Sequence, residues 1–133
     1  METERVEYIS YAEAALVHIE LMRYLGETRY GVSDRTLVES ALARAPQAAA
    51  YEQADIQRQA ATMLYGLVKN HPWVGGNKRT ATTLAELFLN RNGFEVMASI
   101  SELIELVLAV EADRWLIDEI DAWMRRHSER ISG

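Results

Sequence analysis

The chain has 133 residues, 49% of them apolar and 26% charged, with a formal net charge of −6. This length holds one domain, expected over residues 1–133, and the apolar share excludes a disordered chain. The negative charge excludes general nucleic-acid binding, which needs a basic face.

Two prolines and long stretches of three-to-four periodicity predict an all-α domain of about six helices. Glu7 to Ser10 reads as a short extended lead-in. Ser10 with Glu13 makes a capping box for a first helix that Gly26 ends. Its apolar face runs Ala14, Val17, Leu21, Tyr24 and Leu25. A second helix starts at Ser33 or Asp34 and continues to about Ala43, with Leu37, Val38, Ala41 and Leu42 inward. Pro46 then breaks the pattern, although the alanines of 48–50 favour helix by propensity.

A third helix from about Asp55 carries Ile56, Ala60, Met63, Leu64, Leu67 and Val68. It should stop near Asn70, because Pro72 disfavours helical geometry at His71. The fourth, Asn77 to about Asn92, buries Ala81, Leu84, Ala85, Phe88 and Leu89, and Gly93 terminates it. Ser99 with Glu102 caps a fifth helix through Leu103, Ile104, Val107 and Leu108. A sixth runs from about Asp113 to Ser128, with Leu116, Ile120, Trp123 and Met124 on one face. Helices three and four should form a central hairpin whose short connection is held from both sides.

That connection carries the chemistry. His71-Pro-Trp-Val-Gly-Gly-Asn-Lys-Arg-Thr80 packs an imidazole, two glycines, an amide and two cations into ten residues. His71 exchanges a proton near neutral pH, which suits a general base. Gly75 and Gly76 allow a tight turn, and Asn77 is placed to cap the following helix. Backbone N–H groups of Gly76 and Asn77, with Lys78 and Arg79, would face an anion at the helix start. It is not a Walker A loop, which needs glycine at position 71 and lysine directly after Gly76. Taken singly, each of these residues is an ordinary turn feature; the whole string suggests phosphoryl or nucleotidyl transfer.

The string resembles the signature of the Fic/Doc family, His-x-Phe-x-[Asp/Glu]-[Gly/Ala]-Asn-[Gly/Lys]-Arg. It stands closer to the death-on-curing (Doc) branch than to the adenylylating Fic branch. Lys78 takes a position where Fic enzymes carry glycine, and Thr82 one where they carry a second arginine. The likeness extends through Ser33-Asp34, Leu37 to Arg44, Ala50-Tyr51-Glu52 and Phe88 to Gly93.

The resemblance implies a Fic/Doc helical fold with a flap before the third helix. That flap, often a small β-hairpin, lays the target across the site; it is expected at Ala45–Tyr51, with Ala49, Ala50 and Tyr51 in contact with the target. It also implies ATP and Mg²⁺ as cofactors and transfer of the γ-phosphate to a protein hydroxyl, for Doc a threonine of translation elongation factor Tu. The implied inhibitor is a Phd-like antitoxin whose C-terminal segment folds against the toxin. AMP transfer is the alternative chemistry, against which Lys78 and Thr82 speak; a catalytically dead binding module is the non-enzymatic one.

Gly75 departs from the pattern, because it replaces the acidic residue that would hold Mg²⁺. Three readings of Gly75 stay open: a degenerate member kept for binding, a metal held by another carboxylate, or a substitution that makes a toxic protein tolerable. Each implies weak activity. Trp73 replaces the family's phenylalanine, a milder change.

Other residues carry no chemistry at this level. His18 and His127 lack metal-spaced partners and read as ordinary helix residues. Arg125, Arg126 and Arg130 read as a solvated helix end. Trp73, Trp115 and Trp123 read as core. Glu102, Glu105, Glu111, Asp118, Glu119 and Asp121 read as a solvated acidic face. With no cysteine, no disulfide framework can form, which suits a reducing cytosol. No apolar run reaches the roughly 20 residues that span a bilayer. The charged Met1 to Arg5 lacks a following apolar stretch, so no signal peptide and a cytoplasmic location are expected.

Overall fold

Ser10 begins the first helix as its spacing predicts: its hydroxyl accepts from the Glu13 N–H while the Glu13 carboxylate accepts from the Ser10 N–H. The computed structural model describes residues 5–132, so the charged start before Arg5 lies outside the described residues. Six helices follow in order: α1 (Tyr11–Tyr24), α2 (Arg35–Glu52), α3 (Ile56–Asn70), α4 (Asn77–Arg91), α5 (Ile100–Glu111) and α6 (Ile117–Arg126). The fold is therefore mainly helical, as expected. No helix of the described residues is long and apolar enough to cross a membrane.

Helix α3 is the centre. Its residues Ala60, Ala61, Met63, Leu64, Leu67 and Val68 are all buried, and it packs against α2, α4, α5 and α6. Small residues along it let its neighbours approach closely, and the long apolar ones fill the space between them. Its flank α4 buries Ala81, Leu84, Ala85, Phe88 and Leu89. The central hairpin is thus as predicted.

Four expectations are corrected. The stretch 45–51 is not a flap: α2 runs through Pro46 to Glu52, so Ala49, Ala50 and Tyr51 are helical. Helix propensity of the alanines and burial of Ala41, Leu42 and Ala45 outweigh the local penalty of the proline. The helix ends instead at Gln53, left-handed with φ 56°. Tyr24 is not core but 87% exposed, because α1 turns Ala14, His18 and Met22 inward.

On α5 the buried residues are Leu106, Val107, Ala109 and Val110, leaving Ile104 and Leu108 half-exposed. Helix α6 is shorter than expected, beginning after an exposed Leu116. Residues 128–130 leave the helix to form a strand. That strand, β2 (Ser128–Arg130), pairs antiparallel with β1 (Phe94–Val96). At the other end, the lead-in is held by Asn92, whose side chain accepts from the Glu7 N–H and donates to the Glu7 carbonyl.

Candidate functional site

Residues 71–76 connect α3 to α4, and three separate devices hold them. The first is the chain's own turn. His71 caps α3 in a left-handed conformation, φ 47° and ψ 54°, which is uncommon for a residue with a side chain. Gly76 is left-handed too, at φ 65°, and a Cβ there would come within 2.5 Å of the Met22 side chain. Both the backbone and the packing therefore select glycine.

The second device corrects the expected role of Asn77. Gly76, not Asn77, is the N-cap of α4, and no side chain caps that helix. The Asn77 side chain reaches back instead. Its Oδ1 accepts from the Trp73 N–H and its Nδ2 donates to the Trp73 carbonyl, both at 3.0 Å. The amide closes the loop on itself and leaves the first backbone N–H groups of α4 without a side-chain partner.

The third device is the α1–α2 connection. Ser33 and Asp34 N–H groups donate to the Pro72 carbonyl, and the Val74 N–H donates to the Gly31 carbonyl. Beneath this pairing lies His18, which is fully buried rather than an ordinary helix residue. Its ring stacks on Trp73 with centroids 4.4 Å apart. The Gly31 N–H donates to its Nε2 at 3.0 Å, so Nε2 carries the lone pair. The proton is therefore on Nδ1, 2.8 Å from the Thr80 hydroxyl. Burial pushes the His18 pKa below the usual imidazole value. A neutral histidine thus ties α1, the 31–34 loop, the motif loop and α4 together.

His71 itself is half-exposed, as a proton-transfer group needs to be. Its Nε2 lies 3.4 Å from a carboxylate oxygen of Glu111, at the end of α5. The same oxygen accepts from the Lys78 ammonium at 3.0 Å. That hydrogen bond from Lys78 holds the Glu111 carboxyl below its usual pKa, against a smaller opposing effect of desolvation. Arg79, one residue on, makes no ion pair among the described residues and is exposed. His71, Lys78 and the α4 start are thus brought together around one anionic oxygen.

Glu111 and His18 are the residues that sequence reasoning missed. By sequence Glu111 belongs to a solvated face, and only the path of α5 shows that it meets the motif. Other members of that face are engaged as well: Asp118 and Asp121 with Arg58, and Glu102 with His127. Arg125, expected to be solvated, grips Asp55 through two bonds of 2.8 and 2.9 Å. Ala49, Ala50 and Tyr51 are not brought to the motif. They sit near the start of α3, about 20 Å of helix from His71 by its rise per residue. Tyr51 is 88% exposed beside Arg44 and Arg58.

The site's donor set does not fit a protein-held Mg²⁺. Magnesium takes oxygen ligands and is usually held by one or two carboxylates. Gly75 offers none, and a Cβ at that position would meet the Arg29 carbonyl oxygen at 3.0 Å. Glu111, the carboxylate beside His71, is engaged with Lys78. No group of three or more potential metal-ligating side chains gathers among the described residues.

Comparison with known proteins agrees with the geometry. A model of the Fic/DOC family matches residues 8–89, from the lead-in through the motif to the end of the buried part of α4. Among similar proteins is the Protein kinase doc of Escherichia phage P1. It is 32% identical over 123 residues, covering 91% of this chain and 95% of the relative. Another is the Toxin Doc of Mycolicibacterium smegmatis, 43% identical over 70 residues, 50% of this chain and 53% of the relative. A helical fold with the motif between α3 and α4, and a match spanning both, place this chain in the Fic/DOC family.

Proposed function

We propose that this chain is a toxin of the Doc kind, of a bacterial toxin–antitoxin pair, and that its site serves ATP-dependent phosphorylation of a protein hydroxyl. The observation that carries the reading is the shared oxygen of Glu111. One anionic oxygen already sits 3.0 Å from Lys78 and 3.4 Å from His71. A phosphate oxygen at that place would have Lys78 as counter-charge, Arg79 beside it and the free N–H groups of α4 below it. A protein hydroxyl approaching from solvent would meet His71 as proton acceptor.

The step is then simple. The target oxygen bonds to the γ-phosphorus, the bond from that phosphorus to the β–γ bridging oxygen breaks, and ADP leaves. His71 takes the hydroxyl proton, a contribution typically worth about 10²–10⁴ in rate. Beyond that, phosphoryl transfer asks for positioning and charge compensation. Gly76, Asn77, Lys78 and Arg79 supply these, with Asn77 acting through its backbone N–H.

Lys78 and Thr82 favour γ-phosphate transfer over AMP transfer. The Thr82 hydroxyl donates back to the carbonyls of Arg79 and Lys78. No cation therefore stands at the position where the adenylylating branch carries its second arginine. The names of the two relatives, a protein kinase and a toxin, support the same reading. Elongation factor Tu is the proposed target, and a Phd-like antitoxin the proposed partner. Gly75 supports a second reading, a binding module without turnover, since no loop carboxylate can hold the metal.

The test is incubation of the purified protein with ATP and elongation factor Tu, followed by mass spectrometry of the target. Addition of one phosphate to a threonine supports the proposal. Addition of AMP, or no addition by this chain and by Gly75→Asp alike, contradicts it.

A further inference from the structure

A pocket of about 300 Å³ opens away from the motif, between α2, α3 and the start of α6. Arg44, Gln47 and Tyr51 follow one another at helical spacing, so one face of α2 forms its wall. Thr62 of α3 and Ile117 of α6 close it on the other side. Thr62 precedes His71 by about 13 Å of helix rise, which sets this pocket apart from the site described above.

Three contacts hold Arg44 in place there. Its Nε donates to the Thr62 carbonyl at 3.0 Å and to the Thr62 hydroxyl at 3.2 Å. Its guanidinium lies over the Tyr65 ring, 5.3 Å from the centroid. Its stem crosses Gly66, where a Cβ would come within 2.5 Å of the Arg44 Cδ. The guanidinium is thus fixed through one edge and one face. The remaining edge, Nη1 and Nη2, makes no hydrogen bond or ion pair among the described residues.

A partly buried guanidinium without an anion is unfavourable, because its lost hydration is not replaced. The other charged groups lining the pocket, Arg58 and Glu52, pair with each other and leave Arg44 uncompensated. Two parallel N–H donors on a planar cation match the two oxygens of a carboxylate. Asp118 and Asp121, both bound to Arg58, repel a second negative charge, so a carboxylate fits better than a phosphate dianion. The rim is apolar: Tyr51 and Leu116 are exposed beside Ile117. A lone cation with an aromatic and aliphatic rim suits an acidic side chain on a polypeptide, whose neighbours cover the rim, rather than a free ion.

We propose that this pocket receives a carboxylate side chain from an acidic, partly apolar segment of a protein partner. Arg44 donates to it through Nη1 and Nη2, while Tyr51 and Ile117 pack on the residues that flank it. Because Arg44 is already positioned, little side-chain freedom is lost on binding. The proposal is independent of the chemistry at His71.

The probe is the capped peptide acetyl-Leu-Glu-Leu-amide, added to the full chain and followed by the Arg44 Nε–H and Ile117 methyl resonances. Acetyl-Leu-Gln-Leu-amide, acetate and inorganic phosphate are compared with it at equal ionic strength. The glutamate peptide should shift both signals saturably and bind about tenfold more tightly than the glutamine peptide, the scale of a hydrogen bond to a charged group. Arg44→Lys keeps the charge without the paired donors and should bind the two peptides nearly alike. Gln47→Glu, at an exposed position that leaves the Arg44 contacts to α3 intact, sets the chain's own carboxylate in the pocket. It should weaken the glutamate peptide roughly fivefold or more.

Equal binding of the two peptides by wild type, or signals that do not move, would overturn the proposal, as would a Gln47→Glu variant that binds as wild type does. Acetate or phosphate binding as tightly as the glutamate peptide would overturn it too, since the pocket would then hold a free ion.

Discussion

Asn77→Ala tests how the motif loop is held. In the wild type, the amide makes two 3.0 Å hydrogen bonds to the backbone of Trp73, and Trp73 is buried. Losing them costs about 0.5–1.5 kcal/mol each, and the Trp73 N–H left unsatisfied away from water adds about 1–3 kcal/mol. Alanine recovers about 0.5 kcal/mol through its better helix propensity at the first position of α4. The net expectation is a loss of about 1.5–5.5 kcal/mol, which at about 4 °C per kcal/mol for a domain of this size lowers Tm by roughly 6–22 °C.

Asn77→Asp keeps the acceptor for the Trp73 N–H but sets an anionic oxygen against the Trp73 carbonyl where Nδ2 donated, so the favourable helix dipole should recover only part of the loss. Thermal melts measure the stabilities, and amide hydrogen exchange at Trp73 localises the effect. The reasoning is refuted if Asn77→Ala stays within 0.5 kcal/mol (roughly the error of such comparisons) with Trp73 exchange unchanged. The amide would then not be what closes the loop.

Further outcomes follow from the same geometry. The His18 pKa is lowered in the folded state, so the unfolded chain binds the extra proton. Stability is therefore full above the unfolded histidine value of about 6.5 and falls as pH drops below it. In His18→Gln, denaturation midpoints should lose this part of the pH dependence. Glu111→Gln removes the carboxylate competing with phosphate for Lys78. Because that pair is more than a third exposed, ATP affinity measured by calorimetry should rise only about two- to fivefold.

Gly75→Asp should increase Mg²⁺-dependent transfer, and bacteria lacking an antitoxin should grow more slowly when expressing it. The substitution needs a small displacement of the loop at Arg29, since the new Cβ points at that carbonyl rather than at solvent. Gly75 is not left-handed, so the backbone itself adds no strain.

Local features were legible in the sequence because their causes are local. The capping boxes at Ser10 and Ser99 need only a partner three residues on, and both form. The apolar period of α3 was long enough to fix both its extent and its central place. Where a local rule met a tertiary one, the local rule lost. Pro46 argued for a break, yet Ala41, Leu42 and Ala45 gain more by staying helical against α3.

Strands β1 and β2 are three residues each and pair across more than thirty positions, too short and too distant for any periodicity to show. The motif was readable as a string, but its supports were not. His18 reaches Thr80 across 62 positions and Glu111 reaches Lys78 across 33. A single histidine or glutamate on a helix carries no sign of such a contact.

The central claim, that this site moves a γ-phosphate with His71 as base, is tested most directly by label transfer to protein from ATP labelled separately at the α and γ positions. Wild type, Gly75→Asp and His71→Ala are compared at matched thermal stability. The account predicts transfer from the γ position only, weak in wild type, stronger in Gly75→Asp and abolished in His71→Ala. Label arriving from the α position, or equal transfer by wild type and His71→Ala, would contradict it.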